Sequence, residues 1–311
     1  MFIVGGYVKY ADVSRKIMEY LRTQTGSFEQ ASVDEAYLEI SKFKNQNEKW
    51  EEAGQKAQGI KDHIKKIERL TCSIGIGPNK LIAKIAAGEH KPDGLTIIRP
   101  EFVEGFLDPK PVGAIPGIGP KARETLARIG VRTIAQLRAV PEEKLVEMFG
   151  KPRRTMNNLE MKSGSRPLRA SGWGASMYRR SRGIDDSPVE EEREAKSVGE
   201  QETYERDTLD PAFLTAHLSA LCQTVMRRLK QEGFNSFRTV SLIVRFENFE
   251  TKTRSHTFQE PVAQEKVLKT AALQLFLPFL DRRENPHRQR IRLLGVRVEK
   301  LSTTKPPRMI L

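Results

Sequence analysis

The feature that most constrains this chain is a switch of hydrophobic period in its last third. Leu214, Leu218, Leu221, Val225 and Leu229 recur at steps of three and four, the stripe of an amphipathic helix. Soon after, "TVSLIVRF" alternates, with Val240, Leu242, Val244 and Phe246 predicted inward and Ser241 and Arg245 outward. "FETKTRSHTF" is predicted to pair with it. A second helix is predicted over roughly 262–280, and "RIRLLGVRVEKL" as a final strand. With "KSVGEQETYERDT" in front, the order is β-α-β-β-α-β, the split βαβ plan.

At 311 residues the chain has room for about two domains, or three small ones. It is 38% hydrophobic and 30% charged, which is a globular composition. No apolar run approaches roughly 18 residues, so disordered, collagen-like and membrane-spanning classes are excluded. "MFIVGGYVKY" has too short an apolar run for a signal peptide and no small-residue cleavage site. The expected location is cytoplasmic, with no membrane partner. Cys72 and Cys222 then read as buried, reduced thiols. The His residues show no metal-ligand spacing, which argues against a structural zinc site.

Ahead of the last domain, Val13, Ile17 and Leu21 mark a helix over 11–22. "FEQASVDEAYLEI" (28–40) reads as extended. Trp50, Ala53, Ala57, Ile60, Ile64 and Ile67 make a long amphipathic helix. "LTCSIGIG" (70–77) is predicted as a strand, Asn79 as the cap of "KLIAKIAAGEH", "KPDG" (91–94) as a turn and "LTIIR" (95–99) as a strand. This reads as an α+β layer on a mostly antiparallel sheet. Residues 111–150 carry short helices with sharp stops. Pro120 suits a first helical turn, Leu126 and Ile129 share a face, and Gly130 stops the helix. Thr133 and Gln136 form a capping box, and Pro141 and Gly150 bracket "EEKLVEMF". Residues 151–194 read as a linker rich in Gly, Ser, Pro, Arg and then acids.

Charge narrows the partner. The chain carries 53 basic and 40 acidic residues, a net +13. Residues 211–311 hold 18 basic and 8 acidic side chains, whereas the first 150 residues are nearly balanced at 23 and 20. A polyanion is indicated, and nucleic acid first among polyanions. The basic set Arg245, Lys252, Arg254, Arg290, Arg292 and Arg297 is predicted outward on the C-terminal strands, where it would grip phosphates without reading sequence. Aromatics do not interleave with these charges, so base stacking is not indicated.

Three further patterns carry chemistry. In Ser32-Val33-Asp34-Glu35-Ala36 the two acids would point to opposite faces of a straight strand. If the chain reverses there, both sit at a hairpin tip, where hard cations such as Mg²⁺ bind one or two carboxylates. A solvated acidic turn fits the same spacing. Lys91, inside a turn after a helix, can meet a phosphate as a point charge, or be a plain surface lysine. "PGIGPKA" (116–122), with Gly117, Gly119 and Lys121, delivers a helix N-terminus on a glycine turn. That is a helix-hairpin-helix signature suited to a DNA backbone; a plain helical hairpin is the other reading.

"ASVDEAYLEI", "CSIGIGPNKLIAKIAAGEHKPDGL", "IPGIGPKARETLARIGVRTIAQL" and "RGIDDSPVEEEREAKSVGEQETYERDT", in that order, resemble a lesion-bypass DNA polymerase of the Y family, the DNA polymerase IV (DinB) type. The resemblance covers nearly the whole chain. It implies a ferredoxin-like partial palm over 1–107, truncated at its N-terminus, and a helix-hairpin-helix thumb over 108–150. It further implies a linker over 151–195 with an insertion at 152–172, a βαββαβ little finger over 196–301 and a tail over 302–311. It implies that Asp34 and Glu35 bind metal, that Glu35 is the catalytic acid, and that Lys91 contacts the incoming triphosphate. Two Mg²⁺ ions, primer-template DNA and deoxynucleoside triphosphates would be the cofactors and partners of a monomeric, low-fidelity, DNA-directed DNA polymerase. The tail "STTKPPRMIL" shows no recognisable clamp-binding peptide, though a sliding clamp stays open as a partner.

Family members begin with a strand bearing another metal aspartate and a steric-gate aromatic, then fingers with triphosphate-binding Tyr and Arg. This chain starts near the helix before "SVDEA", so impaired catalysis is expected of it. The alternative expectation is a non-catalytic DNA-binding remnant using thumb and little finger. An unrelated helix-hairpin-helix nuclease would need its own acidic cluster, and the sequence offers none.

Overall fold

The computed structural model describes residues 6–40, 48–150, 172–191 and 195–303. The chain divides into two compact units, Met1–Glu192 and Arg193–Leu311.

In the first unit, α1 (Tyr7–Arg22) buries Ser14, Met18 and Leu21. β1 (Ser27–Gln30) and β2 (Ala36–Glu39) form an antiparallel hairpin in which Gln30 faces Ala36. The extended stretch therefore reverses over residues 31–35. α2 (Lys49–Glu68) buries Ala53, Ala57, Ile60 and Ile64, the predicted stripe, while Ile67 in its last turn is exposed. Met18, Leu21, Phe28, Ile60 and Ile64 make the small core between α1, the hairpin and α2.

β3 (Ile74–Ile76), α3 (Lys80–Ala87) and β4 (Leu95–Ile97) follow. The sheet reading needs correction here. β3 and β4 pair parallel, and the described strands of this unit form two separate pairs rather than one mostly antiparallel sheet. A helical crossover returns the chain to its starting end, so the two strands run the same way. The strand predicted over 70–77 contracts to three residues, because the Cys72 carbonyl and the Ser73 hydroxyl bond Lys61 and the Gly94 N–H instead. α3 lies directly on β3: a Cβ at Gly75 would collide with the Ala83 carbonyl and the Ala87 nitrogen. Asn79 caps α3 as predicted, its side chain accepting from the Ile82 N–H.

The next segment is helical: α4 (Val103–Leu107), α5 (Pro120–Ala127), α6 (Ile134–Arg138) and α7 (Glu142–Phe149). Pro120 occupies a first-turn position, and the Thr133–Gln136 capping box forms. α5 ends at Ala127, so Ile129 falls outside it and is half-exposed rather than sharing the buried face of Leu126. One core joins Leu81, Ile82 and Ile85 of α3 with Leu107, Leu126, Ile134, Leu137 and Leu145, and it crosses residue 107 without a break.

The supposed linker holds a helix, α8 (Gly172–Ser181), packed on α7. Its face is made of Gly172, Gly174, Ala175 and Ser176, with Met177 filling the shared core. A Cβ at Gly174 would collide with the Leu145 carbonyl, so small residues set the close approach. Apart from Trp173, Met177 and Tyr178 its contacts come from small residues, so one short helix shows too few apolar positions to betray a period. The expected insertion at 152–172 lies outside the described residues except for Gly172, and so does the tail beyond Thr303.

The second unit is built from β5 (Ser197–Thr208), α9 (Pro211–Gln231), β6 (Phe237–Phe246), β7 (Thr251–Val262), α10 (Glu265–Leu280) and β8 (Ile291–Glu299). The sheet order is β5-β8-β6-β7, every neighbour antiparallel, with β8 inserted between β5 and β6. Val240, Leu242, Val244 and Phe246 of β6 join the buried residues of α9, α10 and β8 in one core. Ser241, predicted outward, is nonetheless buried. It sits on a central strand between Ser255 and Arg297, and its hydroxyl pairs with that of Ser255 (2.8 Å). Both cysteines are free; burial pushes the Cys222 thiol up to about 12.

Candidate active site and nucleic-acid interface

The turn between β1 and β2 is closed by two backbone bonds, from the Ala31 and Ser32 N–H groups to the Glu35 carbonyl (2.9 and 3.1 Å). Within it the Ser32 hydroxyl donates to Asp34 Oδ1 (2.6 Å), and the Asp34 N–H donates to Ser32 Oγ (3.2 Å). This ties the exposed Asp34 carboxylate to the tip. Glu35 is engaged elsewhere, in an ion pair with Lys84 of α3. Further down the hairpin the buried Glu29 pairs with Lys80, one helical turn earlier. α3 therefore runs beside the hairpin toward its tip, and Lys91 is exposed in the loop after α3. Asp34 and Glu35 share one turn but are held by different partners, Ser32 and Lys84. Among the described residues no group of three or more His, Cys, Asp or Glu side chains gathers to hold a metal. Tyr37, on β2, has its hydroxyl pushed up by burial, with Glu35 and Glu29 adding to the effect.

Sequence reasoning missed the lysines that organise this end. Lys80 and Lys84 are four apart on one face of a short helix, a signal the chain did carry. Lys61 could not be read, because its partners are distant in sequence. Its side chain is only 7% exposed, and it pairs with Asp93 while donating to the carbonyls of Cys72 (2.8 Å) and Gly94 (3.3 Å). Lys65 reaches the other Asp93 oxygen at 3.3 Å. The hydrogen bond from Lys61, foremost, holds the Asp93 carboxyl below the usual carboxylate range. Asp93 itself sits at φ +60, so this clasp fixes a left-handed turn two residues from Lys91.

In the helical segment, Gly117 has φ +94 and its vacant Cβ direction is filled by the Trp173 ring of α8. Gly119, the N-cap of α5, has open space there. Lys121 is exposed in the first turn.

The six basic residues of the second unit are more constrained than predicted. Arg254 pairs with Glu284 through two bonds (2.7 and 2.6 Å), and Lys252 donates to the Glu284 carbonyl (2.7 Å). Arg290, which precedes β8, pairs with Glu247; Arg292 pairs with Asp207, and Arg297 with Glu299. Arg245 has no carboxylate partner among the described residues and donates to Thr251 Oγ1 (2.9 Å). Aromatics do lie among these charges: the Arg292 guanidinium stands 4.4 Å from the centroid of the Phe249 ring. The β6–β7 turn brings them together, which strand alternation does not reveal.

These two units define a Y-family polymerase fold. The structure matches a "Y-family DNA polymerase chimera Dbh-Dpo4(243-245)-Dbh" with a TM-score of 0.75 at 23% identity, covering 96% of this chain and 78% of that one. An "insertion ternary complex of Dbh DNA polymerase" matches at 0.59 and 22% identity, covering 98% and 79%. The impB/mucB/samB family matches residues 3–88, and its C-terminal domain matches residues 195–309. A DNA polymerase IV 2 of Methanosarcina mazei is 38% identical over 293 residues, spanning 94% of this chain and 71% of the relative. A DNA polymerase IV of Methanoculleus marisnigri is 36% identical, spanning 94% and 72%. The chain belongs to the impB/mucB/samB family, as a Y-family DNA polymerase of the DNA polymerase IV (DinB) type. No helix among the described residues is long and apolar enough to cross a membrane.

Proposed function

We propose that the first unit carries a Mg²⁺-dependent nucleotidyl-transfer site at the β1–β2 tip, and that the chain works on primer-template DNA in damage tolerance. The observation that carries this reading is the reversal that sets Asp34 and Glu35 together in one hairpin turn, with Glu35 tied to α3. In this reading Asp34 and Glu35 hold metal, Glu35 is the catalytic acid, and Lys91 takes the triphosphate of the incoming nucleotide. The donors suit the ion: Mg²⁺ prefers hard oxygens, keeps several waters and uses one or two carboxylates plus substrate phosphates. When bound, it neutralises charge on the triphosphate and on the leaving pyrophosphate. Lys84 then has to share Glu35 with the cation. The segment 1–107 serves as palm, 108–150 as thumb and 196–301 as little finger. Gly119 and Lys121 offer a helix start to the DNA backbone, and the basic strands of the second unit add phosphate contacts.

A second reading is favoured by a specific observation. Only two carboxylates stand at the described tip, and Glu35 is already neutralised by Lys84. Nucleotidyl transfer depends on positioning and charge neutralisation, so a site short of carboxylates is slow. DNA binding without efficient synthesis is then the activity that remains. Primer extension with the purified chain, Mg²⁺ and all four nucleotides, beside an equilibrium DNA-binding titration, decides between the two. Weak extension with salt-sensitive binding is the expected result, and an Asp34→Asn, Glu35→Gln pair should abolish any extension. Extension that survives that pair overturns the site. Absence of salt-sensitive DNA binding overturns both readings.

A further inference from the structure

The hairpin joining β6 and β7 turns over residues 247–250. The Phe249 N–H donates to the Phe246 carbonyl (2.9 Å), the Phe246 N–H to the Glu250 carbonyl (2.9 Å), and the Glu250 N–H to Asn248 Oδ1 (3.0 Å). Phe249 has φ +65. A hairpin turn that ends in a left-handed residue favours Gly or Asn there, and a bulky side chain at that position is strained. The core does not compensate, because Phe249 is 66% exposed. Its brace is Arg292, stacked at 4.4 Å and itself fixed to Asp207 by two bonds (3.1 and 2.8 Å). A strained residue that the fold does not reward points to a ligand.

We propose that Phe249 is a stacking platform for one unpaired nucleobase of single-stranded DNA. Arg292 is the positioning residue behind the ring, and Arg245 supplies a phosphate contact. The ligand class follows from the setting. A ring backed by a guanidinium on a basic unit suits a base, whose π-face stacks whatever its identity. An apolar protein surface is the poorer match, since residues 211–311 hold 18 basic against 8 acidic side chains. In a duplex the bases are already stacked on their neighbours, which restricts the platform to single strands. The proposal rests on the DNA-binding reading above and names the part of the substrate that this hairpin takes.

The experiment is fluorescence anisotropy of the full chain with two labelled 12-mers of equal charge, oligo-dT and a fully abasic strand. Phe249→Gly should weaken oligo-dT binding by about tenfold, within the range of a single stacked base, and leave abasic binding unchanged. Its melting temperature should hold or rise, because glycine accepts the left-handed turn. Phe249→Trp should restore oligo-dT binding, and Phe249→Asn, which also tolerates the turn, should behave like the glycine variant. Unchanged oligo-dT binding in Phe249→Gly, or equal losses on both strands, overturns the platform. A wild-type chain that binds neither strand nor duplex overturns the DNA-binding reading along with it.

Discussion

The two units hold their functional surfaces in different ways. In the second, all four strands pair in one sheet, and a single core runs from Val198 to Val298 beneath α9 and α10. In the first, the carboxylate hairpin rests on five buried side chains, and the described strands stay in two separate pairs. What the hairpin lacks in apolar contact is supplied by lysines, Lys80 on Glu29 and Lys84 on Glu35, while Lys61 on Asp93 clasps the turn before β4. The proposed binding platform is thus carried by a deep core, whereas the candidate catalytic tip is carried by ion pairs. Such pairs orient charge but are poor sources of net stability once desolvation is counted. The comparison makes the first unit the more sensitive to single polar substitutions, and the second the more sensitive to cavities.

The largest expected effect lies in the second core. Phe276 is fully buried in α10, and Phe276→Ala should cost about 3–5 kcal/mol through lost burial and the cavity left behind. Phe28→Ala, in the thin core of the hairpin, should fall at or below the lower end of that range, since its surroundings can collapse. Urea unfolding of both variants checks this, and equal losses would break the contrast. Gly75→Ala should come next, at about 1–3 kcal/mol, because a methyl there forces α3 off β3. If that variant is neutral, the close helix–strand approach is wrong.

The pH dependence is smaller and has a definite sign. Asp93, Asp207 and Glu247 are all held below their ordinary values, each chiefly by a hydrogen bond from Lys61, Arg292 and Arg290 respectively. A depressed carboxyl contributes stability that is fully present above its unfolded value, about 3.9 for Asp and 4.3 for Glu, and is lost as pH falls through the lower folded value. Melting temperature should therefore hold down to about pH 4 and drop below it. Lys61→Met should remove the share that Asp93 supplies to this drop. A profile unchanged by Lys61→Met would sever the clasp from the turn that carries Lys91.

Much of this was legible in the chain. The stripe from Leu214 to Leu229, the alternation of β6, the Asn79 cap and the Thr133–Gln136 box are local patterns, and each formed where its residues stand. The hairpin at Asp34–Glu35 was available only as a conditional, because strand periodicity does not say where a strand turns. What escaped was non-local or unpatterned. α8 is short, and besides Trp173, Met177 and Tyr178 it packs through glycine, alanine and serine, too few apolar positions to show a period. Parallel pairing of β3 and β4 depends on the crossover helix, not on either strand. The ion-pair partners of the basic strands come from Asp207, Glu247 and Glu284, 30 to 85 positions away, so residues that read as free cations are already neutralised.

That neutralisation gives the mildest and most informative test. Glu284 binds Arg254 through both oxygens, and its backbone carbonyl holds Lys252. The pair is partly exposed, so Glu284→Gln should change stability by less than about 1 kcal/mol. Its effect on binding should be disproportionate. Releasing Arg254 raises the net charge of the second unit by one and frees a guanidinium for a phosphate. Each added phosphate contact steepens the dependence of log affinity on log salt by roughly 0.9 for duplex DNA. The slope for Glu284→Gln should therefore exceed that of the wild type by about one contact, with tighter binding at low salt and convergence at high salt. An unchanged slope would mean that Arg254 faces away from the DNA, and the binding surface would narrow to Arg245 and the hairpin that carries Phe249.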